Sequence, residues 1–185
     1  MSTTYFYDWQ KKAEASGRVT FLEGNGGLPK MEIVSAISTA EIYLQGAHVT
    51  QFQKTGEEPL LFLSPVSRFE EGQPIRGGIP VIFPWFGARD GQNSHGYVRN
   101  HNWELRETSM MPNGGVRVQF RFAGCPESSL YPACDLNYSV TVGETLICEL
   151  TVTNQSEDTA LEFETCLHTY FNVGDISEVT IAGLG

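Results

Sequence analysis

The stretch Leu136-Asn137-Tyr138-Ser139-Val140-Thr141-Val142, followed by Gly143-Glu144-Thr145 and then Leu146-Ile147-Cys148-Glu149-Leu150-Thr151-Val152-Thr153, decides the fold. Leu136, Tyr138, Val140 and Val142 alternate with polar residues. Leu146, Cys148, Leu150 and Val152 alternate with Ile147, Glu149, Thr151 and Thr153. Successive side chains of an extended chain point to opposite faces, so each run is a strand with one buried face. Val142-Gly143-Glu144 is the turn between them. Working outward, Val116, Val118, Phe120 and Phe122 alternate with Arg117, Gln119 and Arg121 behind the turn signal Asn113-Gly114-Gly115. On the other side, Leu161, Phe163, Thr165 and Leu167 alternate with Glu162, Glu164, Cys166 and His168 after a turn at 154–158.

Upstream, residues 30–37, 40–54 and 59–64 also read as strands, and only 5–16 reads as helical. Short strands separated by turns at this spacing indicate an all-β, antiparallel sandwich or barrel. No repeat, low-complexity segment or linker divides the chain, so a single domain over 1–185 is expected. Glu178 to Ala182 starts a further strand, with Gly183-Leu184-Gly185 as a turn behind it. A sheet that stops there leaves an open edge. The reading therefore expects an N-terminal portion of a sandwich, incomplete at its C-terminus.

The chain has 185 residues, 41% of them apolar, enough to bury a full core. Its net charge is −10, from 22 acidic against 12 basic residues. That balance opposes a nucleic-acid binder, which needs broad basic surface, and it opposes binding to anionic membranes. One small anion held by two or three arginines is still compatible, because charge-assisted contacts act locally. No window reaches the roughly 18 apolar residues of a membrane span. The N-terminus, with Asp8, Lys11, Lys12 and Glu14, lacks the apolar core of a signal peptide. Cys125, Cys134, Cys148 and Cys166 show no CxxC spacing, so a cytoplasmic protein with reduced thiols is expected.

The run Arg76-Gly77-Gly78-Ile79-Pro80-Val81-Ile82-Phe83-Pro84-Trp85-Phe86-Gly87 is too broken for a helix and too apolar for a free loop. Its glycines admit close approach of other groups, and its prolines make it stiff. An arginine at the lip of an aromatic wall suits a polar or anionic ring-shaped ligand; a buried edge strand with a surface arginine is the plainer alternative. His168, at a strand end beside Thr169-Tyr170-Phe171-Asn172, is the best candidate for general acid chemistry near neutral pH. His95 and Arg99, in Ser94-His95-Gly96-Tyr97-Val98-Arg99, can converge on the ligand that Arg76 addresses. His48 and His101 are weaker candidates, and His48 reads as structural. There is no HxH or HExxH pattern, so no metal site is expected. There is no GxSxG elbow, P-loop or GxGxxG either.

Four segments in order carry a resemblance: Gly46 to Val49, Arg76 to Gly87, His95 to Asn100, and Leu167 to Asn172. Together they resemble the glucose-6-phosphate 1-epimerases, the hexose-6-phosphate mutarotase branch of the aldose 1-epimerase superfamily. The resemblance runs from about Gly46 to Gly185. It implies a galactose-mutarotase-like β-supersandwich and interconversion of the α and β anomers of glucose 6-phosphate without a cofactor. By the same resemblance His168 is the general acid that protonates the ring oxygen. Arg76, His95 and Arg99 bind the sugar phosphate, with Ser94 a weaker candidate. The glutamate that serves as base in the family, and a ligand-contacting aspartate, lie on strands beyond Gly185. Glu162 and Glu164 belong to a different motif and are not assigned that role. Two other functions fit these residues: a non-catalytic sugar-phosphate binding module, and a mutarotase acting on neutral aldoses.

Overall fold

Two four-stranded antiparallel sheets face each other across one apolar core, in a computed structural model that describes residues 18–183. The first sheet runs β1 (Val19–Glu23), β2 (Pro29–Val34), β3 (Ser38–Tyr43) and β4 (His48–Lys54), each paired with its sequence neighbour. The second runs β6 (Glu104–Met110), β7 (Val116–Arg121), β8 (Cys134–Val142) and β9 (Leu146–Asn154) in the same simple order. A short pair, β5 (Val81–Ile82) with β10 (Cys166–Leu167), joins the long central segment to the C-terminal one.

Register explains why the alternating pattern reads so clearly. Phe120 lies opposite Tyr138 and Val118 opposite Val140. Tyr138 in turn lies opposite Leu150, and Val140 opposite Cys148. The apolar rows of three strands therefore fall on one face. Val118, Phe120, Tyr138, Val140 and Val142 are fully buried there. They pack with Met31, Ile33, Ile42 and Val49 of the first sheet in one cluster. Each such side chain contributes roughly 1.5–3 kcal/mol by leaving water. At one end the sheets are also tied by a hydrogen bond from Ser38 Oγ to the Gly143 carbonyl (2.8 Å).

The structure departs from the sequence reading at several strands. Residues 40–54 are not one strand: the chain reverses at Gln45-Gly46-Ala47, giving β3 and β4. The β1 strand is only five residues long, and β6 was hidden because a register shift between Leu105 and Glu107 breaks its alternation. Residues 59–64 make only single bridges, Leu61 to Phe171 and Leu63 to Gly77. The expected strand at 161–167 shrinks to Cys166–Leu167, because its neighbour carries Pro80 and Pro84 on either side of β5. A proline has no N–H to give a ladder. The expected strand from Glu178 to Ala182 does not form. A 3₁₀ turn, Ile176–Glu178, is capped instead by the Asp175 carboxylate accepting from the Ser177 amide (2.8 Å), and Val179 and Ile181 have no strand beside them. The helix expected at 5–16 lies outside the described residues. Among the described residues the four cysteines are free thiols, and no helix is long and apolar enough to cross a membrane.

Candidate active site

The Gly77–Trp85 run is buried in the middle of the fold, whereas Arg76 and Phe86 at its two ends are exposed. Its backbone is held from three sides. The Gly78 amide donates to the Phe62 carbonyl (2.8 Å) and the Ile79 amide to the Val49 carbonyl (2.9 Å). The third side is the 164–170 segment, where the His168 amide donates to the Pro80 carbonyl (3.0 Å) and the Tyr170 amide to the Gly78 carbonyl (2.9 Å). This antiparallel docking carries His168 to the run, whose nearest end, Trp85, is 83 residues away in sequence. The approach at Gly78 is close and its φ is +62°; a Cβ there would stand 2.3 Å from the Val49 carbonyl oxygen. The glycine at 78 is therefore required by backbone proximity, the close approach the sequence suggested.

Below the glycine pair sits His48, fully buried, with Nε2 at 2.7 Å from the Gly77 carbonyl. Burial pulls its pKa down to about 4, against the opposing pull of that carbonyl and with a smaller push from Arg99. The ring is therefore neutral at pH 7, and Nε2 donates its proton to Gly77. His48 is a prop under the run, as its place inside a strand pattern suggested.

His95 reaches the same place from the other side. Its φ is +64°, and the following Gly96 packs so tightly on the run that a Cβ would lie 1.9 Å from the Phe83 carbonyl oxygen. The His95 amide donates to the Gly87 carbonyl (2.8 Å), and the Gly87 amide donates back to His95 Nδ1 (3.1 Å). An Nδ1 that accepts leaves the proton of the neutral ring on Nε2. Burial first, then the charges of Arg99, His168 and Arg76, lowers the His95 pKa, which keeps the ring neutral near pH 7.

Four rings gather here. His95 stands 5.8 Å from His168 and 4.7 Å from Phe86, measured between ring centroids. Phe86 stacks on His168 at 6.0 Å, and Tyr170 lies 4.9 Å from His168. The sequence reading named both histidines but assigned nothing to Phe86 or Tyr170. Both stood inside the quoted motifs, yet only the fold shows that they flank His168.

Arg99 lies in the 3₁₀ turn Val98–Asn100 and is 7% exposed. Its Nη2 donates to the Ser94 carbonyl (2.7 Å), while its Nε is buried with no hydrogen-bond partner. Burial first, and the charge of Arg76 second, pulls the Arg99 pKa down to about 10, with Tyr170 opposing; the group stays protonated at pH 7. Among the described residues neither Arg76 nor Arg99 has an ion-pair partner. Two uncompensated cations close enough to repel, one of them buried, form a place where an anion is stabilised. Ser94 is exposed, and its hydroxyl donates to the Gly87 carbonyl (3.3 Å), so it edges this site. Glu164 is taken by the backbone: its carboxylate accepts from the Phe86 amide (2.8 Å). His101 stands apart, beside Glu127.

The chain is a two-sheet antiparallel sandwich in which histidines and arginines gather around a buried Gly/Pro/aromatic run. Residues 30–185 match the aldose 1-epimerase family, and the chain belongs to that family. It is 39% identical over 150 residues to a protein of Escherichia coli (strain K12) named "Putative glucose-6-phosphate 1-epimerase", covering 79% of this chain and 49% of that one. The fold is similar to the crystal structure of "a putative mutarotase (YeaD)" from Salmonella typhimurium, with a TM-score of 0.77 and 32% identity over 87% of this chain and 54% of that one. It also shares its fold with a galactose mutarotase-like protein from Clostridium acetobutylicum, at a TM-score of 0.58 and 16% identity over 75% of this chain and 49% of that one. The chain spans about half the length of the curated relatives it matches.

Proposed function

We propose that this chain supplies the phosphate-binding and acid side of a hexose-6-phosphate mutarotase site, with glucose 6-phosphate as substrate. The observation that carries this reading is the pair Arg76 and Arg99, without carboxylate partners among the described residues and grouped with His95 and His168. A neutral sugar offers hydroxyl acceptors but no negative charge to offset two repelling guanidinium groups; a phosphate dianion accepts from both and neutralises them. Phe86 and Tyr170 form walls against which a pyranose ring can lie, and His168 between them protonates the ring oxygen as the ring opens. The neutral His95, with its Nε2 proton, donates a hydrogen bond to the sugar phosphate. Ser94 adds a weaker contact at the rim. C1–C2 rotation and reclosure then give the other anomer. The base that takes the O1 proton is assigned to no residue of this chain.

Anomer exchange of glucose 6-phosphate and of glucose, followed by magnetisation-transfer NMR on the full-length protein, tests this. Faster exchange of the phosphorylated sugar is expected, with a loss of about 10²–10⁴-fold in His168→Asn. Equal rates for the two sugars would sink the phosphate role, and an unchanged rate in His168→Asn would sink the acid role.

A further inference from the structure

A second cluster lies away from these residues, and sequence spacing does not show it. His101 follows the 3₁₀ turn Val98–Asn100; Cys125 and Glu127 stand at the start of a second such turn, Pro126–Leu130. Folding places Phe122 and the second turn against the first, with the His101 and Phe122 rings 6.3 Å apart. One ring nitrogen of His101, Cys125 Sγ and one carboxylate oxygen of Glu127 all lie within 4.8 Å of one another. His101 Nε2 is 3.6 Å from Glu127 Oε2, too long for a good hydrogen bond. That same Oε2 is buried and has no hydrogen-bond partner. Cys125 Sγ lies 3.4 Å from Ser128 Oγ and also interacts with the Ser128 amide and the Glu127 carboxylate. All three side chains are partly exposed, so an ion can reach them from solvent.

We propose that His101, Cys125 and Glu127 form a Zn²⁺ site that clamps the Pro126–Leu130 turn to the Arg99 segment. The donor set decides the metal class. A thiolate with an imidazole and one carboxylate suits Zn²⁺, whereas Mg²⁺ and Ca²⁺ want oxygen ligands throughout. Tetrahedral Zn²⁺, with bonds of roughly 2.0–2.3 Å, sets its ligand atoms about 3.3–3.6 Å apart. The widest pair must therefore close by about 1 Å, within reach of side-chain rotation on two partly exposed turns. Binding forms three metal–ligand bonds and releases the Cys125 thiol proton to solvent. A water occupies the fourth position, as in zinc sites with three protein ligands. The buried Glu127 oxygen, which has His101 Nε2 only at 3.6 Å, then gains a metal bond. His101 is two residues from Arg99, so an occupied site also fixes the segment that carries that guanidinium.

The full-length protein, stripped with a chelator, is titrated with Zn²⁺ by calorimetry and with Co²⁺ by absorption. One tightly held ion per chain and a rise in Tm with Zn²⁺ are expected. Cys125→Ser should abolish the thiolate-to-cobalt charge-transfer band. His101→Gln and Glu127→Gln should each weaken Zn²⁺ binding at least about tenfold, since even outer-shell partners of a metal cost that much. If Cys125→Ser fails to fold, the two other variants carry the test. No ion taken up by the wild type, or equal affinity in the variants that fold, overturns the proposal.

Discussion

Among the described residues Arg99 is a buried cation without a counter-ion, and that arrangement costs stability. Removing the charge but keeping the stem should expose the trade between stability and binding. In Arg99→Met the thermal midpoint, read by calorimetry, should hold or rise. Affinity for inorganic phosphate or a hexose phosphate should fall about tenfold or more, since a charge-assisted hydrogen bond contributes roughly 1.5–3 kcal/mol. A lower midpoint with unchanged affinity would show that Arg99 serves packing alone. Arg76 is exposed, so Arg76→Ala should weaken the same binding without touching the midpoint.

At the scale of the elements, the Gly77–Trp85 run depends on close backbone approach. Gly78 combines a positive φ with a Val49 carbonyl 2.3 Å from where a Cβ would be. An alanine there is strained in φ and displaces β4, so Gly78→Ala should destabilise the fold by about 3 kcal/mol or more in urea unfolding. At Gly56, where a Cβ would meet nothing within 4 Å, the same substitution meets only the strain of its φ of +82° and should cost less. The comparison separates close approach from backbone conformation. The strand pattern of β7, β8 and β9 was legible because each buries one face in an unbroken antiparallel ladder. The pattern at 161–167 was equally clean, yet only Cys166 and Leu167 pair, because the adjacent Pro80 and Pro84 offer no amide. Alternation reports a segment's own exposure and says nothing of the partner's capacity to hydrogen-bond.

For the molecule as a whole, acid should loosen the fold through His48. Its folded pKa of about 4 lies below the ordinary 6.5. Above pH 6.5 the ring is neutral in both states and pH has no leverage. Between pH 6.5 and about 4 the unfolded chain takes up a proton that the folded protein refuses, so stability declines as pH falls. Below about 4 this contribution is flat. The loss over that window is about 3 kcal/mol at most. Unfolding free energies from urea titrations across pH 4–7 should show this slope, and His48→Gln should flatten it; an equal slope in the variant would place the acid sensitivity elsewhere.

The amino-acid sequence by itself determined the all-β class and the core faces of the second sheet, because a period of two is a local property of a half-buried strand. It also nominated residues for the candidate site, through ordered motifs at Arg76, His95, Arg99 and His168. Only the tertiary structure decided that these motifs meet, that Phe86 and Tyr170 flank His168, and that Arg99 is buried without a counter-ion among the described residues. It alone brought His101 to Cys125 and Glu127. The physical reason is the same in each case. Contacts between residues far apart in the chain depend on which backbone amides and carbonyls find each other across the fold, and no local pattern records that pairing.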